Sequence, residues 1–259
     1  MCSNTWKKRG LILAFWMIVW QMLALWIHNP ILLVTPVSVI KRMVSLIQEP
    51  AFYETVLFSS MRVFLGFVLA WVSGFFLGIL AYKVLIVQEF LSPFIHVMKT
   101  IPVASFIVLA LIWMGTSNLT FFVVFVVTMP IVYESIVQGL LTTQKEMLEV
   151  AKIFEFSLWK KIWYIYRPVC IPFLINSATI TIGLSWKSGV AAEVIGIPEH
   201  SIGERLYMAK ISLETVDLFA WTLTMIGLSV LFEKGILFLM EKFCVTKKRK
   251  RKENEDETM

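Results

Sequence analysis

The chain has 259 residues, of which 58% are hydrophobic and only 16% charged, with a formal net charge of +6. A soluble domain of this size carries about 25% charged residues, and here the charges sit in clusters between long apolar runs. That excludes an ordinary soluble domain and leaves an integral membrane protein; three scattered cysteines, Cys2, Cys170 and Cys244, offer no disulfide framework.

The chain opens with Lys7, Lys8 and Arg9, followed by an apolar run from Leu11 to Ile27 that contains Trp16, Trp20 and Trp26. No small-residue cleavage site follows, so this reads as a retained first spanning helix rather than a signal peptide. A span needs about 20 mostly apolar residues. Six segments qualify: 10–28, 61–85, 94–115, 118–140, 170–196 and 217–241. The third is the weakest, because His96, Lys99 and Pro102 occupy its start.

The second span repeats a small residue every fourth position, Gly66, Ala70, Gly74 and Gly78, placing all four on one helix face where another backbone can approach closely. The partner is either another helix of the same chain or a second copy across a dimer seam.

Between the fourth and fifth spans, residues 141–169 are charged, aromatic and apolar at once. Thr143 with Glu146 forms a capping-box pattern, which predicts a short helix from about Lys145 to Phe154. Phe154, Leu158, Ile162 and Ile165 then recur at helical spacing as one apolar stripe, with Lys152, Lys160, Lys161 and Tyr164 off it. Pro168 and Pro172 are expected to stop the helical run and redirect the chain into the fifth span. Spacing alone leaves three uses open: lying on headgroups, packing on the protein's own cytoplasmic ends, or filling a groove on a soluble partner.

The fifth span carries Lys187 and Glu193, with Ser185 and Trp186 beside them. Ionisable groups are expensive at membrane depth and mark functional candidates. Six residues apart, they lie about 240° around the helix, so they do not pair along one face. They line a pathway or pair with another helix. Residues 242–259 form a charged tail, expected to be unstructured, whose basic half lies near anionic headgroups.

Most of the 24 Lys and Arg residues fall in segments placed inside when the N-terminus is cytoplasmic. The expected fold is therefore all-α: a polytopic membrane protein of about six transmembrane helices, both termini cytoplasmic, with a cytoplasmic loop between the fourth and fifth spans. The division expected is 1–54 (N-terminal segment, first span and external linker), 55–241 (a five-span domain with the loop) and 242–259 (tail).

An intramembrane enzyme would need an acid–base or metal constellation. His28, His96 and His200 are isolated, Asp217 and Asp256 are the only aspartates, and there is no phosphate-binding Gly-rich loop with Lys-Ser/Thr. No catalytic residue, metal site or bound cofactor is expected. A self-sufficient ion-coupled secondary transporter is the alternative, although no internal repeat of the kind such folds show is evident.

The stretch "EVAKIFEFSLWKKIWYIYRP" resembles the cytoplasmic Glu-Ala-Ala loop of permease subunits of bacterial ATP-binding-cassette importers. Glu149, Ala151, Ile165 and Pro168 occupy the matching places, while Val150 replaces the other Ala, Glu155 the Gly and Arg167 the Leu. Four further stretches are similar to the nitrate/sulfonate/taurine branch: "LLVTPVSVI", "SSMRVFLGFVLAWVSGFFLGILAY", "KTIPVASFIVLALIWMGTSN" and "LSWKSGVAAEVIGIPEHSIG". Together they cover roughly residues 30–240. The resemblance implies a permease subunit that forms a pathway for a small oxyanion, sulfonate or vitamin precursor. It implies ATPase subunits docking on Glu149, Val150, Ala151, Phe154, Glu155, Leu158, Ile162, Ile165 and Pro168, and an extracytoplasmic binding protein. ATP and Mg would sit on the partner ATPase. It also implies a permease homodimer in a bacterial inner membrane, surrounded by lipid, with no nucleic-acid role.

Overall fold

A computed structural model describes residues 3–256, so Cys2 lies outside the described residues. Those residues form helices and short connections, with no strand among them. The helices are α1 (Ser3–Ile27), α2 (Pro36–Gln48), α3 (Pro50–Lys83), α4 (Leu85–Thr100), α5 (Val103–Leu141), α6 (Lys145–Ile153), α7 (Leu158–Lys161), α8 (Arg167–Gly196), α9 (Ile202–Ile211) and α10 (Thr215–Asp256). A π-helical turn, Ile162–Tyr166, joins α7 to α8.

Five stretches are long and apolar enough to cross a membrane: Gly10–Ile27, Pro50–Lys83, Val103–Leu141, Leu158–Gly196 and Thr215–Met240. They leave large apolar side chains such as Phe76, Ile112 and Leu231 exposed, as faces toward lipid require. The third expected span is divided rather than continuous. α4 stops at Thr100 because Ile101 precedes Pro102, and a residue before proline is pushed to extended backbone. The helix restarts at Val103 and breaks again at Gly115 (φ 65°, ψ −177°), a conformation open essentially to glycine alone. Beyond Gly115 the same element continues as the fourth expected span. The tail expected to be unstructured instead continues α10 as helix to Asp256, consistent with its run of helix-favouring Lys, Arg and Glu.

The chain separates into two compact units, which differ from the expected division at 54 and 241. One takes in the residues up to Ser59 together with Ile197–Gly227; the other takes in Ser60–Gly196 and the residues from Leu228.

In the first unit, α2 begins at Pro36 with Thr35 as its cap, accepting from the Ser38 N–H. It buries Val39 and Leu46. Arg42 grips Asp217 with two hydrogen bonds, Nε to Oδ1 at 2.6 Å and Nη2 to Oδ2 at 2.8 Å. It also donates to Glu49 at 3.1 Å. The Asp217 bonds raise the already high guanidinium pKa further, so the Arg42 side of this clasp stays charged throughout the accessible range.

In the second unit, the small-residue face of α3 lies against α5. A Cβ added at Gly66 would come within 2.6 Å of the Phe121 carbonyl oxygen, and one at Gly78 within 2.8 Å of the Ile136 Cβ. Gly74 faces Met129, Val132 and Tyr133, and Ala70 is wholly buried in the same cluster as Met129 and Tyr133. The stripe is therefore filled by the chain's own helix, and the dimer-seam reading of these four residues is corrected: no room is left for a second copy there.

Candidate functional site

The loop after α5 begins in a tight turn. The Thr142 hydroxyl donates to the Gln138 carbonyl at 2.7 Å, and the Thr143 N–H to the Leu140 carbonyl at 3.2 Å. This turn buries Thr143, so the expected capping box with Glu146 does not form. α6 starts one residue later, on Gln144, without a side-chain cap.

α6 ends in a Schellman motif. The Phe156 N–H reaches the Ala151 carbonyl at 2.9 Å and the Glu155 N–H reaches the Lys152 carbonyl at 3.2 Å. Glu155 holds the left-handed conformation, φ 47°, at the position where the resembling loops carry glycine. The left-handed turn is made here by a residue that adopts it less readily than glycine.

This turn also corrects the expectation of one continuous stripe. Phe154 belongs to the end of α6, whereas Leu158 starts α7 after the break, with Ser157 as its cap. Only Ile165 of the expected stripe is buried, together with Ala151 on α6. Ile153 (77%), Phe154 (70%), Leu158 (75%) and Trp159 (79%) are largely exposed, and Val150 and Ile162 about half so. Glu149 is exposed on α6 beside Val150.

Nor do Pro168 and Pro172 stop the helix. Proline removes an N–H and crowds the carbonyl four residues earlier. The π-helical turn just before Pro168, closed by Arg167 N–H to the Ile162 carbonyl, widens the backbone there. Leu158–Gly196 thus runs as one apolar helical rod. At its base Cys170 packs with Ile136 and Leu140, and Tyr166 meets Tyr82 edge-on at 6.2 Å. Arg167, at the resembling loops' leucine position, stacks over Trp163 at 4.2 Å.

The four candidate pathway residues do not converge. Ser185, Trp186 and Glu193 are buried and Lys187 is exposed. The Ser185 and Thr128 hydroxyls are 2.9 Å apart, and Trp186 packs edge-on against Phe232. Glu193 lies within electrostatic reach of Arg62 on α3. These contacts join α3, α5, α8 and α10 within the second unit.

A polar grouping that the sequence reading passed over lies between α4 and α5. Gln88, Ser92 and His96 line a cleft of about 230 Å³ with Tyr133, Glu134 and Gln138. Lys99 donates to both oxygens of Glu134, at 2.8 and 2.7 Å. The signal was present: positions 88, 92, 96 and 99 follow four- and three-residue spacing, one polar stripe on a helix.

Residues 66–233 match the family described as the binding-protein-dependent transport system inner membrane component, and the chain belongs to that family. A Bacillus subtilis (strain 168) protein named for aliphatic sulfonates transport, SsuC, is 25% identical over 218 residues, 83% of this chain and 78% of its own. The nitrate import permease protein NrtB of Synechocystis sp. is 29% identical over 199 residues, 73% of this chain and 71% of its own. The structure of the MetNI methionine ABC transporter in inward-facing conformations matches in fold with a TM-score of 0.51 at 19% identity, over 73% of this chain and 93% of the matched one. The chain is thus an ABC transporter permease subunit, of a class that works with an ATPase and a binding protein, and the self-sufficient secondary transporter is set aside.

Proposed function

We propose that this chain pairs with a second copy of itself in a bacterial cytoplasmic membrane to form the import pathway for a small solute of the oxyanion, sulfonate or vitamin-precursor class. ATP and Mg are held by a separate ATPase, and this chain binds no cofactor and catalyses no reaction. The observation that carries the reading is the 141–169 loop: Ile153, Phe154, Leu158 and Trp159 are each largely exposed, with Lys145, Lys152, Lys160 and Lys161 flanking them in sequence. Large apolar patches of this kind mark protein interfaces. Because α7 continues without interruption into the fifth span, a push on the loop moves the spanning helix as a rigid lever. Relatives named for sulfonates and nitrate support the solute class.

The test is affinity purification of the tagged chain from its native membrane in mild detergent, with Glu149→Arg in parallel. The expected result is an ATPase subunit with the native chain and its loss with the variant, both chains inserting equally. A chain that stays alone in several detergents, or a variant with normal ligand-stimulated hydrolysis, overturns the coupling role.

A further inference from the structure

The α4–α5 cleft is the polar feature that neither the loop nor the packing of the bundle uses. Gln88, Ser92, Ile95 and His96 line it from one helix and Tyr133, Glu134, Val137 and Gln138 from the other, and Lys99 reaches its edge through the ion pair to Glu134. By rise per residue, Glu134 lies roughly 10 Å from the end of α5 at Leu141, so the cleft belongs to the cytoplasmic half of the membrane. The Lys99 and Glu134 side chains are 43% and 36% exposed. An ion pair open to hydrocarbon at that depth is strongly disfavoured, so it faces water or another polar surface. A pair this open contributes little to stability, so a solute can take over its partners without unfolding anything. The volume, equivalent to roughly eight waters at about 30 Å³ each, suits a solute of a few heavy atoms. α4 also ends just beyond Lys99, at the break before Pro102, and discontinuous helices are where transporters commonly place their binding groups.

The charged pair at the cleft is one anion, Glu134, in the lining and one cation, Lys99, bonded to it at the edge, with amides, hydroxyls and an imidazole around them. A net anion would meet Glu134 at the same site as Lys99. We infer that this cleft is a contact site for the transported solute and favours a small zwitterion, whose anionic group takes Lys99 and whose ammonium group takes Glu134, with Gln88 and Gln138 bonding the remainder. This rests on the permease reading and narrows its substrate class.

The test is cysteine protection in inside-out vesicles carrying the full chain and its native partners. Cys2, Cys170 and Cys244 are replaced by serine or alanine, and the thiol introduced by Ser92→Cys is labelled by a membrane-impermeant maleimide. The probes are two matched pairs: taurine against ethanesulfonate, and β-alanine against propionate, each differing by one ammonium group. The expected result is that a zwitterion slows labelling at a concentration about tenfold below its anionic twin, as loss of one charge-assisted bond predicts. In Glu134→Gln that preference disappears. Lys99→Gln weakens both members of each pair. Equal protection by twins, no protection by any probe, or a Ser92→Cys chain that never labels overturns the proposal. ATPase co-purification is measured on the same vesicles. If it persists while protection fails, this site falls and the permease reading stands; if both fail, the permease reading falls too.

Discussion

Helices α6 and α9 are nearly twins in length, 9 and 10 residues, and they end identically. In each a Schellman motif closes the C-terminus, with bonds of 2.9 and 3.2 Å at α6 and 2.9 and 3.3 Å at α9. In each the left-handed position is filled by a residue other than glycine, Glu155 at φ 47° and Leu213 at φ 56°. Their other ends differ. At α9, Ser201 accepts from the Glu204 N–H at 3.0 Å and donates to the Pro198 carbonyl at 2.7 Å, while the Ile202 N–H is taken by Ser59 at 2.8 Å. Ile202, Gly203 and Ala209 are buried. At α6 there is no side-chain cap and Ala151 alone is buried. The first helix of the pair is left largely exposed, and the second is held by its own chain. Stability that a segment lacks in isolation is supplied where its apolar surface finally goes.

The sharpest way to break this comparison is Trp159→Asp. If the exposed loop docks a partner, the most exposed aromatic on it behaves as an interface hot spot, and its loss weakens ATPase capture about 30-fold or more. The melting temperature of the purified chain stays unchanged. Undiminished capture in a titration would show that the exposed apolar surface is not the docking face.

A smaller effect is expected at a third left-handed position. Gly115 lies in a region closed to other residues, so Gly115→Ala costs about 1–3 kcal/mol through backbone strain alone, since nothing lies within 4 Å of the added Cβ. Gly183→Ala, equally unobstructed but within regular helix, serves as the control and is expected to gain up to about 1 kcal/mol. Similar melting shifts for the two would mean that the break in α5 is not needed.

Ser201→Ala removes the α9 cap and costs about 1 kcal/mol, a fall of roughly 2–4 °C for a chain of this size. Gln144→Ala at α6, which removes no cap bond, leaves the melting temperature in place. Equal falls would erase the distinction between the two helices.

The smallest effect is a gain. Glu155→Gly relieves a left-handed conformation costing about 1–2 kcal/mol, against an entropy penalty for glycine of about 0.5–1 kcal/mol. The loop should resist proteolysis slightly better, with ATPase capture retained. Faster cleavage would place no strain at Glu155.

The class of fold was legible from residue order because hydrocarbon admits few solutions. Long apolar runs must be helices, clustered Lys and Arg orient them, and the Glu149–Pro168 pattern marks the loop. Four-residue spacing likewise showed that Gly66, Ala70, Gly74 and Gly78 share a face. What covers that face was decided in three dimensions, where Phe121, Val124, Met129 and Ile136 of the same chain fill it. So was the fate of Glu193, whose burial near Arg62 depends on two segments far apart in sequence. Proline alone reads as a stop at Pro168, yet the π-helical turn before it keeps the helix running, because the backbone can widen where packing supports it. Periodicity assigns a residue to a face; only the packed neighbours decide whether that face meets lipid, its own chain, a solute or a partner.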